Sequence, residues 1–262
     1  MSDKVKPLNL AERFNNSHVA RLRSAVLERV WRAAFGDDYP DDTNMSAFYS
    51  RTTLRHLCAA LKLAPGRTLA DLGCGHGGTG LWVAKQTGAD LIGIDLSDVG
   101  VALARERAVA LGLADRARFH VGNLTATGLP DACCDAVLNL DVLLFVPDKV
   151  AAAREFARIL RAGGTLGLTT WEQSGYSARL GAEQIADHRP ILEAAGFMIE
   201  DYEEPPDWRR QQSALAEGFI AAEAEMSQEM EPKTAAGYAA MGRGVLADMP
   251  VRRYVRIVAH KR

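Results

Sequence analysis

The segment LADLGCGHGGTG, residues 69–80, runs from a β-forming stretch through a glycine-rich turn into a helix-forming one. Gly73, Gly75 and Gly78 satisfy G-x-G-x-x-G, and Asp95 follows about 20 residues beyond Gly75, at the end of the next β-forming run. A turn of this kind between a strand and a helix restricts the chain to β-α-β units with parallel strands. The neighbouring sequence agrees. After RTLADLG (67–73) come a helical stretch at 78–87, ADLIGIDL (89–96), a helical stretch at 98–112, ARFHVGN (117–123), DAVLNLD (135–141), a helical stretch at 147–161 and GTLGLTTWE (164–172). Strands alternating with helices at this spacing predict an α/β fold with helices on both faces of a mostly parallel sheet. Ser97 and Asp148 stand where helix N-caps belong, and Gly112 and Gly163 where helices end.

On either side of this pattern the texture is helical. Residues 9–33 place Leu22, Val26, Leu27, Val30 and Trp31 on one helical face, and a second helical stretch covers 45–63, with the acidic loop FGDDYPDDTN (35–44) between them. Downstream come a helix ending in HRPILEAAGF (188–197), a strand near 198–204, an alanine-rich helix-forming stretch at 208–249, and a last strand, VRRYVRIVAHKR (251–262). The division expected is a helical cap (1–64), an α/β core (65–207), a helical lid insertion (208–249) and the last core strand (250–262), all in one structural domain of a 262-residue chain.

Composition removes several classes of function. Apolar residues at 48% and charged residues at 24% are the balance of a soluble globular protein, and no apolar run is long enough to span a bilayer. Lys and Arg number 31 against 33 Asp and Glu, a net charge of −2, so the overall positive field of a non-specific nucleic-acid binder is missing. Cys58, Cys74, Cys133 and Cys134 contain no C-x-x-C pair, so neither a disulfide framework nor a zinc site is expected. The acidic DDYPDD run (37–42) reads as a solvated loop, and no metal site is expected. The N-terminal residues lack the apolar centre of a signal peptide, and a cytoplasmic location is expected.

Two readings of the glycine turn stand at this point. The motif and Asp95 together fit a nicotinamide dinucleotide, and hence an NAD(P)-dependent reductase. Asp71 argues the other way, because a carboxylate at the turn repels the pyrophosphate that the helix N-terminus would otherwise attract. A cofactor without phosphate and with positive charge, S-adenosylmethionine, suits Asp71, and its ribose hydroxyls suit Asp95.

The series DLGCGHGG, GIDLS, GNLTATGLPDACCDAVLNLDVL and LRAGGTLGLTTWE, over residues 65–172, resembles the class I S-adenosylmethionine-dependent methyltransferases. Within them it is most similar to the small-molecule enzymes of bacterial secondary metabolism and the related quinone methylases. The resemblance implies a Rossmann-like sheet of seven strands in the order 3-2-1-4-5-7-6 whose last-numbered strand is antiparallel. It implies S-adenosyl-L-methionine as cofactor, S-adenosyl-L-homocysteine as product, and a small-molecule acceptor. Carried over by position, Asp71, Gly73, Cys74 and Gly75 match the loop that holds the methionine portion. Asp95 matches the ribose ligand, and Leu96 matches the residue packed on adenine. Asn123, where the family usually has Asp, matches the partner of the adenine amino group, with Leu124 beside it. Asn139 and Leu140 fall beneath the methionine portion, and Tyr49 matches an N-terminal aromatic that closes over its carboxylate.

Candidate bases are His76 in the loop, Asp141 after the fourth strand, and Glu172 after the fifth, the last two at the carboxyl edge of the sheet where such folds place their sites. His76 reads equally as an exposed loop histidine, and Asp141 as a turn cap. Several sugar and polyketide members carry a histidine pair where this chain has Leu143, Leu144 and Phe145, so that base is absent. Phe145, Trp171, Tyr176, Trp208 and Phe219 are candidates for an apolar acceptor pocket or for ordinary packing. Methyl transfer to an O, N or C nucleophile of a small hydrophobic metabolite is the activity expected, by a monomer or homodimer. The alternatives are a cyclase on the same fold, a reductase, and a binding protein that senses the cofactor without chemistry.

Overall fold

The computed structural model describes residues 10–177, 180 and 182–262. Strand β1 (Thr68–Leu72), α4 (Gly78–Thr87), β2 (Asp90–Asp95), α5 (Asp98–Ala110), β3 (Ala117–Val121), β4 (Cys134–Leu140), α6 (Lys149–Ile159) and β5 (Leu160–Glu172) alternate as the sequence predicts. Among the described residues three α-helices precede them: α1 (Leu10–Arg23), α2 (Ala25–Phe35) and α3 (Arg51–Ala60), with a 3-10 turn at Gly36–Asp38 after α2. Following β5 are β6 (Gly175–Ser177), β7 (Ala182–Gln184), α7 (Arg189–Ala194) and β8 (Phe197–Glu203). The chain ends with α8 (Trp208–Ala221), α9 (Glu223–Glu229), α10 (Pro232–Asp248) and β9 (Arg253–Lys261).

The main sheet has seven strands in the order β3-β2-β1-β4-β5-β9-β8. β3 through β5 pair in parallel, and β9 runs antiparallel to both β5 and β8. With β6 and β7 forming a separate hairpin, β8 and β9 are the sixth and seventh strands of this sheet, which is the expected order and orientation. Alternation along β1 divides the core. Leu69 faces the apolar cluster built by α2, α3, α4, α5 and α8, whereas Ala70 and Leu72 face the one built by α6 and α7. Burial on both faces explains why β4 reads as an almost continuous apolar run.

Ser97 and Asp148 cap α5 and α6, accepting the backbone N–H of Gly100 and Ala151. Gly112 follows α5 in the left-handed conformation that a helix end favours. Gly163 does not end a helix. α6 runs directly into β5, and Gly163 lies where four residues loop out between the pairs Cys134–Leu160 and Ala136–Thr165.

The predicted single helix over 9–33 is broken at Ser24, whose hydroxyl leaves the helix path and caps α2 by accepting the Leu27 N–H. The second helix begins only at Arg51, capped by Ser50, which leaves residues 45–50 as a non-helical strap held by Asp141 and by the Tyr254 hydroxyl. Between residues 172 and 188 the chain makes the β6–β7 hairpin, and the helix in HRPILEAAGF is confined to α7. α8 and α10 pack together, and α8 packs on α2 with Gly218 against Val30. Among the described residues no helix is long and apolar enough to cross a membrane.

Candidate functional site

The glycine turn is fixed by the strand ends it joins. Gly73 and Cys74 donate their N–H groups to the Ile94 carbonyl at 2.7 and 3.1 Å. Gly75 donates to Asp95 Oδ2 at 2.7 Å, and Asp95 Oδ1 accepts from Ser97 N at 2.8 Å, so one carboxylate ties the turn to the end of β2 and the start of α5. Gly73 lies at φ +85°, and a β-carbon there would stand 2.5 Å from Val142 Cγ2, so both conformation and space demand glycine.

Asp71, one residue before the end of β1, is only 3% exposed. Its carboxylate lies under the first turn of α4, where a β-carbon on Gly80 would sit 2.5 Å from Oδ2. That oxygen has no hydrogen-bond partner. Burial first, and then the neighbouring charge of Asp95, push the Asp71 carboxyl up to about 7, against the pull of the Gly80 N–H. A buried acid with an unused oxygen beside a second acid is a site that a cation completes and an anion disrupts.

A cavity of about 1080 Å³ runs from this turn to α8 and α10. At the turn end it is walled by Asp71, Gly73, Cys74, Gly75, Asp95 and Leu96, with Asn123, Leu124 and Leu140 beside them. Towards the helices it is walled by Phe48, Phe145, Trp171 and Phe219, with His76 and Asp141 between the two ends. The fold therefore brings most of the sequence-predicted residues to one space.

Asp141 lies just beyond β4 in a left-handed conformation, φ +60°. Its Oδ2 accepts from Phe48 N at 2.9 Å and its Oδ1 from the Trp171 indole N–H at 2.6 Å. It ties the 45–50 strap and the Trp171 ring together at the cavity wall. His76 is not an exposed loop histidine. It is 3% exposed beneath α1, neither ring nitrogen has a partner, and burial first, then the nearby His18 and Arg107, lower its pKa to about 3. Asn123 uses its amide oxygen on Thr125, accepting from the backbone N–H and the hydroxyl at 3.0 Å each, so the oxygen expected to meet adenine is engaged locally.

Five candidates do not line the cavity. Tyr49 is fully buried behind α4 with its hydroxyl on Thr79 Oγ1 at 2.7 Å. Asn139 points within the sheet, donating from Nδ2 to the Leu72 carbonyl at 2.6 Å. Glu172 faces away, where its carboxylate accepts from His188 N at 3.0 Å and from the Tyr202 hydroxyl. Burial raises that acid, but the bonds from His188 and Tyr202 outweigh it and hold Glu172 below the usual carboxylate range, opposite to what a base near neutrality needs. Tyr176 is 66% exposed on β6. Trp208 is buried behind Trp171, ring centroids 5.4 Å apart, with its indole N–H on Glu204.

Sequence reasoning missed His18 on α1. Its ring stands where a β-carbon on Gly75 would be 2.7 Å from Cε1, and it meets His76 edge-on at 5.7 Å. Burial lowers its pKa, and Asp95 opposes that shift. The signal was the i, i+4 pair Phe14 and His18, obscured because the break at Ser24 shifts the helical phase.

Residues 70–168 match the family model of the methyltransferase domain. The chain is similar to the 27-O-demethylrifamycin SV methyltransferase of Amycolatopsis mediterranei, 32% identical over 144 residues that cover 55% of this chain and 53% of that protein. Alignments with this protein and with a phosphoethanolamine N-methyltransferase of Arabidopsis thaliana take in 53% and 24% of those relatives' lengths. Among solved structures, the [4+2]-cyclase SpnF superposes with a TM-score of 0.72 and 25% identity, over 94% of this chain and 96% of that one. A sarcosine dimethylglycine methyltransferase from Galdieria sulphuraria, itself described as putative, superposes at 0.74 with 16% identity, over 90% and 97%.

Proposed function

The chain carries a class I S-adenosylmethionine-dependent methyltransferase domain, and from that premise we propose that it moves a methyl group from S-adenosylmethionine to an O, N or C nucleophile of a small, largely apolar acceptor. The observation that carries this reading is Asp71: a buried carboxylate with an unpartnered oxygen, beside Asp95, at a glycine turn that opens into an aromatic-walled cavity. A dinucleotide pyrophosphate would meet two acids there, which disfavours the reductase.

When bound, S-adenosylmethionine supplies a methyl group activated by a positive sulfur. Asp71 and the backbone of Gly73, Cys74 and Gly75 would hold its amino-acid portion, Asp95 its ribose hydroxyls, and Leu96 and Leu124 its adenine faces. Cationic charge beside Asp71 offsets what burial and Asp95 do to that acid, so the site binds its ligand by relieving its own electrostatic cost. Phe48, Phe145, Trp171 and Phe219 keep water from the acceptor and orient it, with Asp141 fixing two of these walls. Asp95 and Asp141 already accept two N–H bonds each, and Glu172 lies outside the cavity, so an acceptor that is neutral or readily deprotonated suits this site. The free thiols of Cys58, Cys74, Cys133 and Cys134 suit the cytosol.

A second reading is favoured by the likeness to a [4+2]-cyclase over nearly the whole of both chains. In it the bound cofactor provides charge and shape while an acceptor closes a ring and no methyl moves. Incubation with methyl-labelled cofactor and a panel of hydroxylated hydrophobic metabolites separates the two. Label in the organic product, lost in Asp95→Ala, is the expected result; turnover of the panel with all label left on the cofactor overturns methyl transfer in favour of cyclisation.

A further inference from the structure

The wall of the cavity contributed by α2 and α8 is apolar except for the Trp31 indole N–H and the Gln212 amide. Trp31 Nε1 and Gln212 Oε1 belong to lining residues that are 6% and 7% exposed, and each atom is sealed from water with no hydrogen-bond partner. Two polar groups that line the same cavity are engaged by contrast: the Trp171 indole N–H donates to Asp141, and the Tyr238 hydroxyl pairs with Ser17 Oγ at 3.2 Å. Nearly all buried polar groups in folded proteins find a partner, because an orphan keeps the full penalty of losing water. The Trp31 ring is stacked on Phe35 at 5.9 Å and meets Phe219 edge-on at 6.0 Å, neither of which offers its N–H a lone pair. Phe48, Leu215 and Met241, which line the same cavity, carry no side-chain N–H or O–H group.

We propose that these two atoms are the polar recognition points for the acceptor, which is an apolar skeleton bearing a carbonyl or ether oxygen for the Trp31 indole N–H and a hydroxyl for Gln212 Oε1. The chemistry follows from what each group can do. An indole N–H only donates, so its partner is an oxygen with a lone pair; an amide oxygen only accepts, so its partner is an O–H or N–H. Aromatic and aliphatic side chains make up much of the remaining wall, and the Arg252 guanidinium lies 3.5 Å over the Trp171 ring, so the acceptor that fits is mainly hydrocarbon. Binding draws each side chain slightly out of the wall to meet the ligand. This deepens the methyltransferase reading, on which it rests, by making the acceptor an oxygenated hydrophobic molecule instead of a bare hydrocarbon.

Matched rings test it on protein saturated with S-adenosylhomocysteine: cyclopentadecane, cyclopentadecanone and cyclopentadecanol, compared in the wild type, Trp31→Phe and the double variant Trp31→Phe/Gln212→Leu. The ketone uses only Trp31, so it is expected to bind the wild type about three- to tenfold more tightly than the hydrocarbon, the span of one or so net hydrogen bonds, and to lose that advantage in Trp31→Phe. The alcohol keeps an advantage in Trp31→Phe through Gln212 and loses it in the double variant. Gln212→Leu without ligand is expected to melt at or above the wild-type temperature, because it removes an orphaned carbonyl; a lower melting temperature shows a structural partner and overturns the proposal. Equal binding of all three rings, binding of none, or an advantage that survives the double variant also overturns it. Failure of S-adenosylhomocysteine itself to stabilise the wild type is a different outcome, which sinks the methyltransferase reading and this proposal with it.

Discussion

Replacing Asp71 by asparagine separates what this acid does to folding from what it does for binding. With its carboxyl raised to about 7 by burial and by Asp95, the folded protein keeps a proton that the unfolded chain gives up near pH 4. The folded state therefore binds more protons over that interval, and stability of the free protein falls as pH rises from about 4 to about 7, with the full cost present above 7. Asp71→Asn carries no such cost. It is expected to melt with the wild type near pH 4, above it at pH 8, and to lose about 2 kcal/mol or more of the stabilisation that S-adenosylmethionine gives. Melting curves at the two pH values, with and without cofactor, check both parts; a variant that melts no higher at pH 8 shows that Asp71 does not bear the charge cost. The acids were legible because the turn motif fixes their sequence offsets. Trp31, Gln212 and His18 were not, since their relevance depends on how α1, α2 and α8 fold over the sheet, and no local spacing encodes that. Tyr49 and Asn139 had the right offsets but face protein, Tyr49 towards Thr79 and Asn139 towards Leu72.

Elements whose ends carry their own punctuation were legible: α4 between the glycine turn and Gly88, α5 after Ser97, α6 after Asp148. Ser24 and Ser50 are punctuation of the same kind, yet helix-forming residues on both sides hid them. The approach of α10 to α8 depends on a signal weaker still, a glycine inside a helix. A β-carbon on Gly242 would stand 2.4 Å from the Ala216 carbonyl oxygen, so the two helices touch backbone to backbone there, and Gly242 lines the cavity. Gly242→Val is expected to force the pair apart at a cost of about 1–3 kcal/mol, a fall of several degrees in melting temperature. Because the glycine turn lies on the other side of the cavity, affinity for S-adenosylhomocysteine should stay within about twofold while acceptor binding weakens. Calorimetric titration with S-adenosylhomocysteine beside the ring series above reads the two ends separately, and a loss of cofactor affinity equal to that of acceptor affinity would show that α10 supports both.

At the scale of the whole molecule, strand order and site location are linked. The order β3-β2-β1-β4-β5-β9-β8 reverses direction of travel between β1 and β4, and the crevice opened there at the carboxyl ends of the strands is where Asp71, Gly73 and Asp141 meet. The alternation of strands and helices already required parallel pairing in this part of the sheet, and so the crevice. The position of the antiparallel β9 followed only from family resemblance, because a strand arriving after three helices can join either edge or insert beside β5 without violating any local rule. A ligand seated in this crevice touches β1, β2, β4 and the helices that cover them, so it adds its free energy to one cooperative unit. At about 100 times its dissociation constant it contributes roughly 2.7 kcal/mol, equivalent to a rise of about 5–10 °C in melting temperature for a chain of this size. S-adenosylmethionine and S-adenosylhomocysteine are expected to produce that rise, NAD and NADP are not, and Asp95→Ala should lose it. Asp95 is well suited to the control, since its oxygens hold the backbone of both Gly75 and Ser97: Asp95→Asn keeps one accepting oxygen for that scaffold and removes the charge. If Asp95→Asn retains the melting temperature of the free protein while cofactor stabilisation is lost, the carboxylate acts on the ligand itself; if both fall together, its contribution is to the turn. A rise with NAD alone would contradict the electrostatic argument from Asp71 at its root, because two buried acids would then be tolerating a pyrophosphate.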